Sequence, residues 1–339
     1  MQSTLPTIAK AWPLSCRSAR RNLRVGSLGG TRTVRVDTLT VNNAQTQGAR
    51  VRELLARRSP QHLENSTGLM LEALHQRPYS ASRGTLVLGA GACTEIPLAA
   101  LVHDSDEVVL ADLDLASMQQ ARAELSAPSL RKAVRLVTAD LSGGISADLD
   151  RLLVRQPWSS LAEGGPHALF DTAADCLDAC PIHDPPQIVG LAPGNFGVVI
   201  SSLILSQLFS YPLLDVLDRV QRVAPDAVFE QERHHRYQEA AQAFRVRVIL
   251  AHLHLLRSLL DSDGLAVLLS DQRGFVFDTL DSQLAAKRRR GIPLVPRVFP
   301  ELVESNFTVL EKRTWEWLAD LPGEGRYGRG YEVVGYLLH

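Results

Sequence analysis

The sequence predicts an α/β protein: a mostly parallel sheet with helices on both faces. Two observations predict it. From Thr85 onward, short apolar runs alternate with amphipathic stretches, the pattern of repeated strand–helix units. One such run, TLVL, ends in Gly89-Ala90-Gly91 just before a helical stretch, the glycine turn that lets a ligand approach the backbone closely. The chain has 339 residues, of which 45% are apolar and 22% charged. That composition fills a sizeable core and excludes a disordered or fibrous protein.

The elements follow in order. The first 36 residues hold no Asp or Glu but carry Lys10, Arg17, Arg20, Arg21, Arg24, Arg32 and Arg35. Residues 1–45 are expected to be a basic arm; a transit peptide is the competing reading. Thr31–Val41 alternates as a short strand would. Ala49–Arg58 and Ser66–Gln76 have helical apolar spacing and predict a helical cap over residues 46–80. The main domain then runs over 81–339. Strands are expected at Thr85–Leu88, Glu107–Ala111, Val134–Ala139, Phe196–Ser201, Leu265–Ser270, Phe307–Thr314 and Tyr331–Leu338. Helices are expected to about Val102, over Leu115–Leu125, from about Pro212, and over Gln231–Leu260. An insertion at about 145–192 is too long to lack structure. It is expected to hold helices at Ala147–Gln156 and Thr172–Cys180.

Charge and cysteine content limit the function. Lys and Arg number 36 against 37 Asp and Glu, a net charge of -1. A nucleic-acid binder would show a basic excess, so none is expected as partner. Cys16, Cys93, Cys176 and Cys180 are too few to staple a chain of this size. A reducing, cytoplasmic compartment is the expectation. No apolar run approaches the ~20 residues that cross a bilayer, so no membrane role is expected.

Three segments carry chemistry. In TLVLGAGACTEIPLAALV, Gly89 and Gly91 make the turn. Thr94 is expected to cap the next helix, with Pro97 in its first turn. Thr94 also stands where a dinucleotide site has its third glycine. In EVVLADLDLASMQQ, Asp112 closes a strand, placed to accept from ribose hydroxyls, and Asp114 caps the following helix. In VRLVTADLSGG, Asp140 ends a strand and can accept from an exocyclic amine, while Leu141 packs on a base.

In this order, these segments resemble class I S-adenosylmethionine-dependent methyltransferases over roughly Gly84–His339. LGAGAC resembles the family's first motif, though it reads GxG with Ala92 rather than GxGxG. GVVISSLILSQL resembles the fourth, and HLHLLRSLLDSDGLAVLLSD the fifth-strand region. YEVVGYLL resembles the final antiparallel strand. The resemblance implies a Rossmann-like seven-stranded sheet with an antiparallel C-terminal strand, and S-adenosylmethionine as cofactor. It implies donor contacts at Gly89, Gly91, Asp112, Leu113, Asp140, Leu141, Ser201 and Ser202. Glu95 matches a position often acidic in a related set of bacterial methyltransferase-like proteins, which implies contact with the donor's amino-acid end. The implied activity is methyl transfer to a small or medium organic acceptor; a protein acceptor stays open. Ser201-Ser202-Leu203-Ile204 stands where amide methylases carry Asn/Asp-Pro-Pro-aromatic, which disfavours nucleobase amines. Asp184-Pro185-Pro186-Gln187 is a coincidental likeness. Two other classes share the glycine turn and strand-end acid: an NAD(P)-dependent oxidoreductase, and a non-catalytic S-adenosylmethionine-binding module.

Other residues read as structure. Cys176, Cys180 and His183 lack the spacing and the fourth ligand of a zinc site, and no metal is expected. His234 and His235 are expected to be solvated, and His252 to be a packed histidine or a base. Trp315 and Trp317 are expected to share one side of a strand and pack on a helix. Lys287–Arg290 reads as a solvated helix end. Phe275 and Phe277 are expected to line the acceptor side or to be ordinary core. No catalytic base is identifiable.

Overall fold

The computed structural model describes residues 56–277, 291–320 and 327–339. The basic arm, the strand at 31–41, most of the helix at 49–58 and the run 287–290 lie outside these. One sheet has the strand order β3-β2-β1-β4-β5-β8-β7. The parallel strands are β1 (Gly84–Leu88), β2 (Glu107–Asp112), β3 (Val134–Thr138), β4 (Phe196–Ser202) and β5 (Leu260–Phe277). β7 (Val309–Asp320) and β8 (Gly328–Leu338) pair antiparallel. The sheet has eight strands, where seven were expected. The extra one, β6 (Ile292–Pro293), is a two-residue antiparallel partner of Arg273 and Gly274, too short to leave an apolar run.

Side chains alternate between two cores. Val87, Val108, Ile200 and Val267 point to one face. There they meet α1 (Pro60–Gln76), α2 (Leu98–Asp104) and α3 (Leu115–Ala123) through Leu69, Met70, Leu101 and Met118, all fully buried. Leu86, Val109, Val199 and Leu268 point to the other face. They meet α5 (Ile145–Val154), α7 (Gly165–Ala179), α8 (Leu205–Val223), α9 (His235–Leu259) and α10 (Phe299–Asn306). Every residue of β4 is buried, as a central parallel strand covered on both faces requires. Short helices α4 (Pro128–Lys132) and α6 (Trp158–Glu163) fill connections.

Several bounds differ from the expectation, each for a physical reason. α1 begins six residues before Ser66, with Pro60 in its first turn, where a missing N–H costs little. α7 likewise begins at Gly165-Pro166, seven residues before Thr172. α8 begins at Leu205 and carries Pro212 in its interior, buried in the core; tertiary packing overrides the proline there. A 3-10 turn at Ala227–Arg233 precedes α9, so the long helix starts at His235.

The largest difference concerns β5, β7 and β8, which run on past the parallel strands. Asp271, Gln272, Arg273 and Gly274 interrupt the apolar run of β5, yet pairing with β8 continues to Phe277↔Gly328. The Phe275 and Phe277 rings lie over β8 glycines. A Cβ on Gly330 would stand 2.4 Å from Phe275 Cζ, and one on Gly328 2.6 Å from Phe277 Cζ. These two phenylalanines are packing residues of the extension. Because β5 runs parallel to β1 and β4, the extension rises from the carboxyl edge of the sheet.

Candidate functional site

The site is built at the carboxyl ends of β1, β2 and β4. After β1 the chain turns sharply: Gly89 has φ 73° and Gly91 φ 46°, the left-handed region that favours glycine. Gly89 and Ala90 donate to Ala111 O at 2.9 and 3.4 Å, which fixes the turn to the end of β2. The two glycines are needed for different reasons. A Cβ on Gly89 would meet Ile204 Cβ at 2.8 Å and Ser202 O at 3.1 Å, so this glycine lets the turn pass the loop after β4. A Cβ on Gly91 would meet nothing within 4 Å among the described residues. The open space that a ligand needs is therefore above Gly91.

Asp112 binds this turn from the next strand. Its Oδ2 accepts from Gly91 N at 2.9 Å, and its Oδ1 from Asp114 N at 2.9 Å. Each oxygen keeps a further lone pair. Asp114 caps α3 as expected, accepting from Ser117 N at 3.1 Å. Leu113 is 53% exposed, an apolar side chain in the open beside Asp112.

Thr94 is not the helix cap. α2 starts at Leu98, preceded by Pro97. The proline disfavours helical backbone at Ile96, which blocks an earlier start. Thr94 instead donates to Glu95 Oε2 at 2.5 Å, and Ser202 Oγ donates to Glu95 Oε1 at 2.7 Å. Glu95 thus links the glycine turn to the end of β4. On the opposite face of β4, Ser201 Oγ bonds His252 Nε2 at 2.8 Å. His252 is 1% exposed, and burial holds its imidazole at about 4, neutral at ordinary pH. Leu203 follows with φ 51°, its N–H bonded to Leu269 O at 3.1 Å.

Asp140 closes its own turn. Oδ1 accepts from Ser142 N at 2.9 Å and Ser142 Oγ at 2.6 Å, and Oδ2 from Gly144 N at 3.2 Å. Leu141 is buried in the core with Ile145 and Leu149. Gly89, Gly91, Glu95, Asp112 and Ser202 therefore gather around one edge, whereas the Ser201 side chain turns to the other face. Asp140 and Leu141 stand at β3, two strands from β1.

One functional candidate was missed. Asp271 lies just past the β4–β5 ladder, which ends at Ser202↔Leu269. Its Oδ1 is buried and has no hydrogen-bond partner among the described residues. Burial pushes its carboxyl up to about 6, opposed by a hydrogen bond from Ser206. The signal was present in LLSDQRG: an acid at the carboxyl end of a parallel strand, the same sign that singled out Asp112.

The remaining candidates are structural. Cys176 and Cys180 face the core, and burial pushes both thiols up to about 11. Among the described residues no three His, Cys, Asp or Glu side chains could hold a metal. Asp184 pairs with His254 at 2.5 Å, and Pro186 packs on Gly143. His235 is exposed, whereas His234 is half-buried and stacks on Phe170 at 4.3 Å. Trp315 and Trp317 face α1 as expected: Trp315 Nε1 donates to His62 Nδ1 at 2.9 Å, and Trp317 stacks on the His62 ring at 4.6 Å. Among the described residues no helix is long and apolar enough to cross a membrane.

No family model and no curated protein matches the chain. Solved structures do. One is a SAM-dependent methyltransferase from Aquifex aeolicus, 11% identical, with 86% of this chain and 97% of that chain covered and a TM-score of 0.37. Another is an O-methyltransferase family protein from Burkholderia thailandensis, 13% identical at a TM-score of 0.37; the match covers 86% of this chain and 61% of that one. A third is the glycopeptide N-methyltransferase MtfA complexed with S-adenosyl-L-methionine, 14% identical, with 81% and 86% covered and a TM-score of 0.34. The fold assignment rests on strand order and pairing: by these, the chain has a Rossmann-like, mostly parallel sheet with an antiparallel C-terminal strand pair.

Proposed function

We propose that this protein binds S-adenosylmethionine at the carboxyl edge of β1, β2 and β4 and transfers its methyl group to a small or medium organic acceptor. The observation that carries this reading is the glycine turn. Gly91 leaves open space above the backbone, while its N–H is held by Asp112, the acid that closes the next strand. Ligands of open α/β sheets sit at this edge.

The residues present fit the group. The spare lone pairs of Asp112 would accept from the two ribose hydroxyls, and exposed Leu113 would cover one face of the adenine. Glu95, oriented by Thr94 and Ser202, would meet the amino-acid end. Asp140 keeps a lone pair on Oδ2 for the adenine amine, although its carboxylate already closes a turn. The bound donor supplies a methyl group already activated by its sulfonium. The protein's own contribution is to orient donor against acceptor and to exclude water. Thr94, in place of a third glycine, favours this over a dinucleotide. The extension of β5, β7 and β8 forms a wall beside the edge, suited to an acceptor.

The test is a thermal-shift and calorimetry panel with S-adenosylmethionine, S-adenosylhomocysteine, NAD and NADP. Stabilisation by the first two alone supports the reading. Stabilisation by a nicotinamide dinucleotide alone overturns it. Label from methyl-labelled donor, followed into fractions of a cell extract, then separates small-molecule from protein acceptors.

A further inference from the structure

Asp271 is a half-buried carboxylate without a partner cation among the described residues, placed beside the proposed donor site. It stands on β5, next to β4, and in register with Val333 of β8, which pairs with Trp315 of β7. Ser206, in the first turn of α8, hydrogen-bonds its side chain, while Oδ1 is buried with no hydrogen-bond partner among the described residues. The segment that leads from β4 into Ser206 is the one that Gly89 approaches, at Ser202 and Ile204. Glycine turn and Asp271 thus flank one short segment, over the adjacent strands β1, β4 and β5.

Among the described residues, the surrounding charges leave Asp271 unmatched. Glu332 of β8 is held by Arg273 at 3.7 Å. Glu95 accepts from Thr94 and Ser202. His62 of α1 and His252 of α9 are buried, and burial holds both imidazoles at about 4. The first turn of α8 begins Leu205, Ser206, Gln207, without charge. Burial alone raises the Asp271 carboxyl, with no charged neighbour contributing. An unpaired carboxylate withdrawn from water is costly unless a cation joins it.

We infer that the Asp271 carboxylate is the counter-ion for the sulfonium of the methyl donor. It would favour the charged donor over the neutral thioether left after transfer, and so aid product release. The inference rests on the methyltransferase reading above. It names a donor-recognition residue which that reading does not contain.

Calorimetry on the full chain tests it, with S-adenosylmethionine and S-adenosylhomocysteine at about pH 5 and about pH 7.5. A carboxyl titrating near 6 is about one-tenth ionised at pH 5, so donor affinity should rise about tenfold between the two conditions. The thioether carries the same amino-acid end and adenosine but no sulfonium; its affinity should change less than about twofold. Asp271→Asn should abolish the difference in pH response and lower donor affinity about tenfold at pH 7.5, with thioether affinity unchanged. Parallel pH courses for the two ligands in the wild-type protein overturn the inference, as does an Asp271→Asn variant with unaltered donor preference. The wild-type comparison decides the matter even if that variant fails to fold. Binding of neither ligand at either pH defeats the methyltransferase reading itself, and this inference with it.

Discussion

At the scale of single residues, Gly89 and Gly91 show how one motif holds two kinds of constraint. Both have positive φ, but only Gly89 is hemmed in by protein, against Ile204 and Ser202. Gly89→Val should therefore damage the fold, read as a large drop in melting temperature, because its side chain collides with the β4 loop. Gly91→Ala should cost only the strained φ, about 1 kcal/mol, yet impair donor binding, because its methyl enters the ligand's space. A Gly91→Ala variant with full donor affinity would move the site elsewhere. Asp112→Ala should weaken S-adenosylmethionine binding by about 1–3 kcal/mol, the range for a lost charged hydrogen bond. It should also lower the melting temperature slightly, because Gly91 N and Asp114 N lose their acceptor. Unchanged affinity by calorimetry would remove Asp112 from the ribose role.

At the scale of elements, the extension of β5, β7 and β8 is held by aromatic rings over backbone. Phe275 is 8% exposed and Phe277 5%, each covering a glycine of β8. Phe275→Ala should therefore destabilise by about 3–5 kcal/mol, as a buried aromatic truncation does. Gly330→Ala should destabilise too, because its Cβ would strike the Phe275 ring. Donor affinity of whatever folds should be unchanged in both variants. If Phe275→Ala leaves chemical denaturation untouched, the ring is not packing the extension as described.

At the scale of the whole molecule, buried groups of opposite sign contribute to acid stability. His62 and His252 are held at about 4 by burial, against 6.5 unfolded. Below pH 6.5 the unfolded chain takes protons that the folded chain refuses. Stability therefore falls as pH drops from 6.5 to about 4, by up to about 3 kcal/mol for each histidine. Asp271 works the other way. Its folded carboxyl titrates at about 6 against 3.8 unfolded. The folded chain takes that proton first, so this group adds stability as pH falls from 6 to 3.8, by up to about 3 kcal/mol. Urea denaturation at about pH 7, 5 and 4 should show a steeper acid loss in Asp271→Asn and a shallower one in His252→Gln. Identical slopes in all three proteins would show that neither group titrates as its burial implies.

The sequence by itself determined the α/β class, the positions of the parallel strands and the turn at Gly89–Gly91. Those features are local: an apolar run of strand length, a glycine pair and an acid 21 positions on are readable one segment at a time. It also placed Asp112 and the Asp114 cap, since capping depends on neighbours within three residues. The tertiary structure decided the rest, because the rest depends on partners far apart in the chain. Pro212 stays inside α8 because the core covers it, and β5 continues beyond Asp271 because β8 offers glycines to its phenylalanines. Gly89 is required by Ile204, a residue 115 positions away that no local pattern connects to it. Asp271 was visible as a strand-end acid, but its isolation was not. A carboxylate's charge is satisfied or left bare by whatever the folded chain brings beside it, and among the described residues that is the hydroxyl of Ser206 and no cation.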